Sequence, residues 1–217
     1  MMRILHVIRQ YKPVIGGMEN FVENLAVHLK GKGIESEVLT LNTDFSNGER
    51  FQESEIINGI KVRRIPYFGS RRYPIALSAI NYLSEFDLIH IHGVDFLLDY
   101  LAGLKPFHKK PMILSTHGGF FHTKRFYLYK KLHFHTLTRL SLRNMRWIVA
   151  DSEPDYETFK PISPARIEMI ENGINYHHYH AIAEEKGEPN RFIFVGRFSQ
   201  NKRIDKLLAM MARLKSD

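Results

Sequence analysis

The 217-residue sequence predicts an α/β fold: a doubly wound, Rossmann-like parallel sheet with helices on both faces. Three observations carry this. Short runs rich in β-branched residues alternate with longer stretches whose apolar residues recur at helical spacing. The alternation continues from one end of the chain to the other, with no internal repeat and no low-complexity tract. Glycine-bearing turns follow several of the strand-like runs, as in sheets that hold ligands beyond their strand ends.

Taken in order, Arg3 to Ile8 is the first strand, and Gln10 to Gly17 is a loop ending in Gly16-Gly17. Met18 to Leu29 is an amphipathic helix through Phe21, Val22, Leu25, Ala26 and Leu29. Glu35 to Leu41 is the second strand. Ile60 to Ile65 is the third, after the strong turn signal Asn58-Gly59. Tyr67 to Tyr73 reads as a basic aromatic loop and Ala76 to Phe86 as a helix. Asp87 to His92 forms the fourth strand, stopped by Gly93, and Phe96 to Gly103 the helix after it. Pro111 to His117 is the fifth strand, Phe126 to Met145 a long helix, Trp147 to Ser152 the sixth strand. Ile167 to Gly173 is a last short strand and turn. The polar run Glu184 to Asn190 marks a linker, so residues 1–183 form one domain and 191–217 the start of another.

Composition narrows the function. Hydrophobic residues make up 44% and charged residues 25%, the balance of an ordinary soluble globular protein. With no cysteine, a disulfide framework and a thiolate metal site are both excluded. No run approaches the roughly 20 apolar residues of a membrane-spanning helix. Met1 to Ile8 is too short and polar for a signal peptide, so a cytoplasmic location is expected. The net charge is +8 and uneven: Lys105 to Arg146 holds ten Lys or Arg and no Asp or Glu. An anionic partner follows: nucleic acid, a lipid head group or a phosphorylated substrate.

Three groups end strands where ligands bind: Gly16-Gly17, His92-Gly93 and Thr116-His117-Gly118-Gly119. Without Cβ atoms, Gly16 and Gly17 let their amides approach a ligand. A histidine closing an apolar strand is either a hydrogen-bonded structural residue or a site residue. Asp151-Ser152 and Glu171-Asn172-Gly173 end the next strands, and Asn172-Gly173 also reads simply as a tight turn. A last strand is expected at Phe192 to Val195, with a basic turn carrying Arg197 and Lys202. A helix then runs from Ile204 through Leu207, Leu208, Met211 and Leu214. Such a turn suits a phosphate at the helix N-terminus, or is a plain βα turn with solvated cations.

Val195-Gly-Arg-Phe-Ser-Gln-Asn-Lys202 with Ile204-Asp-Lys-Leu-Leu208 resembles the opening of the second domain of retaining GT-B glycosyltransferases of glycosyltransferase family 4. Gly16-Gly-Met-Glu19 and Thr116-His-Gly118 resemble the family's glycine loop and histidine motif, and fit it better than a GT-B epimerase or phosphorylase. The resemblance implies a hexosyltransferase that moves sugar from a nucleoside diphosphate sugar to a glycan or lipid-linked hydroxyl in cell-envelope or polysaccharide biosynthesis. It implies donor-diphosphate contacts at Gly16, Gly17, Arg197 and Lys202, with His117 positioning the sugar as the catalytic-site residue. His92, Thr116, Gly118, Ser152 and Asn172 face the cleft. It further implies no metal and no cofactor, since protein cations and helix termini offset the diphosphate.

Several expectations accompany this reading. The family's later donor-site glutamates fall beyond Asp217, so the chain alone is expected to be inactive. The apolar face of the last helix is expected to pair with a second copy as a homodimer, to pack on the first domain, or to fray. Phe120 to Phe134 interleaves aromatic and basic residues, which suits an anionic membrane surface, a nucleic acid or a core stripe with a solvated face. The resemblance favours peripheral attachment at the inner membrane face over nucleic acid. His133 and His135, and His177, His178 and His180, lack the i, i+4 spacing of a helical zinc pair. The rival from another class is a non-catalytic basic α/β module that grips nucleic acid or phosphorylated lipid.

Overall fold

The computed structural model describes residues 1–118, 127–163, 166–174, 176, 180, 192–196 and 202–214. They fall into two compact units, one from residues 1–120 and 128–173, the other from 121–127 and 174–217. The expected linker at 184–190 lies outside the described residues.

The first unit is built on an eight-stranded sheet. Its strands are β1 (Arg3–Ile8), β2 (Glu35–Leu41), β3 (Ser54–Ile57) and β4 (Ile60–Ile65). A separate two-stranded ribbon, β5 (Phe68–Ser70) and β6 (Tyr73–Ile75), follows. The main sheet resumes with β7 (Leu88–His92), β8 (Met112–Ser115), β9 (Trp147–Ala150) and β10 (Ile167–Met169). Their order is β10-β9-β8-β7-β1-β2-β4-β3, parallel throughout except for β3. Leu5, Val7, Leu39, Val62, Ile89, Ile91 and Leu114 are fully buried, as expected where helices cover both faces. Helix α1 (Gly17–Gly31) lays Val22 and Ala26 on Ile8, Tyr11, Val38, Ile60 and Val62. The doubly wound α/β class read from the sequence is the observed one.

Where structure and sequence differ, local chemistry gives the reason. The Asn58-Gly59 turn has positive φ at both residues, 49° and 75°, and joins β3 to β4 as a tight hairpin. The sequence pattern showed only its second strand. The expected loop at Tyr67 to Tyr73 is largely the β5–β6 ribbon, whose three-residue strands are disguised by Gly69 and Pro74. Ala76 to Phe86 winds as a 3-10 helix, Leu77–Glu85, burying Ala79 and Leu83. Ser78, Asn81 and Ser84 within it are weak α-helix formers.

Helices α2 (Phe96–Gly103) and α3 (Lys105–His108) precede β8. The single helix expected from Phe126 to Met145 is α4 (Tyr127–His133), a π-helical turn (Phe134–Thr138) and α5 (Arg139–Leu142). The Thr136 hydroxyl donates to the Leu132 carbonyl at 2.6 Å, and Thr138 Oγ1 lies 3.1 Å from His133 Nδ1. Hydroxyls that engage the preceding turn compete with the regular ladder and widen it. Helix α6 (Glu153–Phe159) was not expected at all.

One buried charge holds the periphery of this unit together. The Arg64 side chain is wholly buried, pairs with Glu55, and donates to the Lys12 carbonyl at 2.6 Å and the Gln52 carbonyl at 3.3 Å. Its guanidinium also lies over the Phe51 ring.

In the second unit, α7 (Ile204–Leu214) forms where the apolar spacing predicts it. Phe192 to Val195 is not a strand, and Phe192, Ile193 and Val195 are exposed. A strand needs a neighbour to take its N–H and C=O groups, and none pairs with it among the described residues.

Candidate functional site

From β1 the chain winds through β2 to β4 on one side, then returns to place β7 on the other. The strand order therefore reverses between β1 and β7, and a crevice opens beyond their C-terminal ends. Gly16 and Gly17 start α1 there. Gly16 is the N-cap without a side chain, and an added Cβ would stand 2.2 Å from a Glu19 carboxylate oxygen. Gly17 has open space around it. At the end of β7, Gly93 turns with φ 89° against Met18 of α1. After β8, His117 and Gly118 both take left-handed backbone, φ 53° and 65°.

Four side chains link the sheet core to this rim. His6 on β1 and His90 on β7 are register partners, and His92, two residues along β7, shares their face. His6 Nδ1 lies 3.0 Å from His92 Nε2, and His92 Nδ1 lies 2.9 Å from His117 Nε2. His117 Nδ1 in turn lies 2.7 Å from Asp151 Oδ2, which also accepts from Asn172 Nδ2 at 2.9 Å. The His117 side chain is only 4% exposed, and the edge of Phe21 from α1 packs against its ring. Burial pulls His6 down to about 4. Burial, then the neighbouring imidazoles, carry His90 and His92 well below the ordinary histidine value. Burial pushes the Asp151 carboxyl up, but hydrogen bonds from His117 and Asn172 outweigh it and hold it below the usual carboxylate range.

A second cluster fixes the loop after β8. Asp155 Oδ2 accepts from the Thr116 hydroxyl and, at 2.7 Å, from the Gly118 amide. Asp155 sits in the first turn of α6, whose N-cap is Ser152. Ser152 Oγ accepts from the Asp155 amide at 3.4 Å. The strand-end residues Thr116, His117, Gly118, Asp151, Ser152 and Asn172 are thus tied together.

Of the residues singled out in the sequence, this end of the sheet gathers Gly16, Gly17, His92, Thr116, His117, Gly118, Ser152 and Asn172. Lys202 is exposed in the second unit, and Arg197 lies outside the described residues. The sequence reading missed His6, His90, Asp95 and Asp155 as site residues. His90 was signalled by the i, i+2 repeat with His92 in Leu88-Ile-His-Ile-His92, which puts both imidazoles on one face of a strand, whereas no local pattern signalled His6. Asp95 caps α2 by accepting from the Leu97 amide at 2.9 Å. Burial raises its carboxyl to about 6, with Arg9 opposing. His6, His90 and His92 have ring nitrogens within 4.8 Å of one another, close enough for a metal ion. Both nitrogens of His92 are taken by other imidazoles, however, and His90 Nε2 meets Ser115 Oγ at 2.9 Å. His133 and His135 contribute no metal group among the described residues, and His133 lies 3.0 Å from the buried Asp99 carboxylate. His177 and His178 lie outside the described residues.

The family model described as Glycosyltransferase Family 4 matches residues 15–178. A curated GDP-mannose:cellobiosyl-diphosphopolyprenol alpha-mannosyltransferase of Komagataeibacter xylinus is 39% identical over 217 residues, covering 99% of this chain and 55% of the relative. A protein of the same description from Xanthomonas oryzae pv. oryzae is 41% identical, covering 100% of this chain and 58% of the relative. The chain thus spans somewhat more than half the length of the curated relatives it matches. Among solved structures, the catalytic domain of starch synthase IV from Arabidopsis thaliana superposes with a TM-score of 0.57 at 13% identity, covering 96% of this chain and 58% of that one. Sucrose-phosphate synthase from Thermosynechococcus elongatus gives 0.55 at 14% identity, covering 84% of this chain and 95% of that one. At such identities these two likenesses speak for the fold alone.

Proposed function

Because the chain belongs to Glycosyltransferase Family 4, we propose that it forms the acceptor-side half of a retaining mannosyltransferase. The donor in this reading is GDP-mannose, and the acceptor is an oligosaccharide on a polyprenyl diphosphate. The observation that carries it is 39–41% identity, over essentially the whole chain, to curated enzymes named for that reaction. The rim supports it chemically. Gly17 offers open space at a helix N-terminus, which suits the donor diphosphate as negative charge develops on it, while the Glu19 carboxylate now beside Gly16 must swing aside for the diphosphate to reach that residue. The tied loops at Thr116 to Gly118 and Asp151 to Asn172 supply a fixed wall against which the sugar is oriented. Arg197 and Lys202 are assigned to the diphosphate on their sequence pattern alone, and no metal or cofactor is invoked.

A membrane-bound acceptor suits the surface of α4. Leu128, Tyr129 and Leu132 are 65–78% exposed beside Lys130 and Lys131, a basic and apolar combination that favours anionic lipid. None of the described helices is long and apolar enough to cross a membrane, so attachment in this reading is peripheral.

The test is a chimera in which this chain replaces the corresponding part of the Xanthomonas oryzae relative. Transfer of labelled mannose from GDP-mannose to cellobiosyl-diphosphopolyprenol, with no transfer from UDP-glucose, is expected. A folded chimera that transfers nothing overturns the reading.

A further inference from the structure

The hydrogen bonds that run from the core to the rim can point in only two directions. Asp151, as a carboxylate, accepts and does not donate. His117 must therefore carry its proton on Nδ1, 2.7 Å from Asp151 Oδ2. If His117 is neutral, its Nε2 is a bare lone pair and the facing His92 Nδ1 carries a proton. His92 Nε2 is then bare, and His6 Nδ1 donates to it. That leaves His6 Nε2, which is buried and has no hydrogen-bond partner among the described residues, as a lone pair. In the reverse direction His117 becomes an imidazolium, each bond inverts, and His6 Nε2 holds a buried N–H with no acceptor. An orphaned buried donor is the rarer and costlier defect. The cation of the reverse direction would sit on His117 with the Asp151 carboxylate beside it, so the deciding difference is the buried, unaccepted N–H left on His6.

We propose that His6, His92, His117 and Asp151 form a one-directional imidazole wire in which His92 and His6 are positioning residues. They hold His117 neutral, with both ring nitrogens occupied inside the protein and the ring fixed at the rim. His117 then shapes the sugar site through its ring and its left-handed backbone, and does not serve as an acid or base. That His117 faces a sugar rests on the function proposed above. The wire itself does not, and its test requires no turnover.

The experiment is a long-range 1H–15N correlation spectrum of the chain labelled with 15N-histidine, at neutral pH. His6, His92 and His117 are each expected to show a protonated Nδ1 and a bare Nε2, opposite to the form that neutral imidazoles prefer in water. The preference is expected to be about tenfold or more, from the burial of the alternative donor. In His92→Phe, which cuts the wire, His117 keeps its Nδ1 proton while His6 loses its fixed form. In Asp151→Leu all three lose it, although His6 does not touch Asp151. The wild-type spectrum decides even if a variant fails to fold. A protonated Nε2 on His6 or His92 overturns the wire. So does a stoichiometric shift of the His6, His90 and His92 signals on adding one equivalent of zinc chloride, which would make the trio a metal site. Failure of mannosyl transfer with this spectrum intact would count against the transferase reading only.

Discussion

Asp155 is the side chain on which the loop after β8 depends most directly. It is buried and accepts two hydrogen bonds through Oδ2, from the Thr116 hydroxyl and the Gly118 amide. Between those donors His117 holds a left-handed backbone, φ 53°, which a residue with a Cβ adopts at a cost of about 1–2 kcal/mol. Asp155→Ala strands two donors and releases that strained turn. Hydrogen bonds to a charged acceptor each contribute about 1.5–3 kcal/mol, so a loss of about 3–6 kcal/mol is expected. Against a total stability of about 5–15 kcal/mol this is a large fraction. Urea unfolding followed by far-UV circular dichroism reads it as a midpoint lowered by about 1–2 M with an unchanged slope. Asp155→Asn keeps one acceptor oxygen and should lose about half as much. If Asp155→Ala unfolds within about 1 kcal/mol of wild type, the two contacts do not hold the loop.

Other consequences are as direct. Removing Glu55 should cost more than removing Arg64. Glu55→Gln leaves a buried guanidinium without its counter-charge, about 3–5 kcal/mol, whereas Arg64→Met frees a carboxylate already partly in water. Equal losses in urea titrations would refute that asymmetry. Gly93→Ala places a Cβ at φ 89° and within 3.4 Å of Met18, so a thermal melt should register about 1–2 kcal/mol of destabilisation. The histidine cluster sets an acid limit. His6, His90 and His92 are depressed in the folded protein, so their contribution is complete above about pH 6.5 and declines as the pH falls below it, that of His6 being lost through about 4. Asp95, raised to about 6, opposes them: its destabilising ionisation is reversed on acidification through that value. Three groups outweigh one, so the urea midpoint should drop between pH 7 and 4.5, and a flat profile would show that these imidazoles are not buried neutral. Vesicles containing anionic lipid should co-sediment the chain at low salt, and Leu128→Ser with Leu132→Ser should weaken this. Indifference to lipid composition would remove α4 as a membrane surface.

The large elements were legible because burial on both faces leaves a simple trace. Leu88-Ile-His-Ile-His92 and Trp147-Ile-Val-Ala150 could be little else than inner strands. Elements shorter than their own periodicity were not legible: β5 and β6 have three residues each, and α6 begins with Glu153-Pro154, which reads as a turn. The π-helical turn depends on Thr136 and Thr138 reaching the preceding turn, and helical spacing alone does not reveal it. At the site, strand ends marked the right loops through Gly16-Gly17, His92 and Thr116 to Gly118. His6 escaped notice because its partner His92 lies 86 residues away and meets it only through the β1–β7 pairing. Asp155 lies in a helix that the sequence did not signal, and its role emerges only where the Thr116 loop folds onto it.

The acceptor-side assignment is tested most directly by binding of a short-prenyl, water-soluble analogue of cellobiosyl-diphosphopolyprenol to this chain, followed by amide chemical shifts. The expected result is saturable perturbation confined to the rim, at Thr116, Gly118, Ser152 and Asn172, with Trp147 and Ile167 at the opposite strand ends unmoved. A chain that keeps its fold and shows no saturable shift at the rim, or whose shifts centre on those opposite ends, would contradict the assignment.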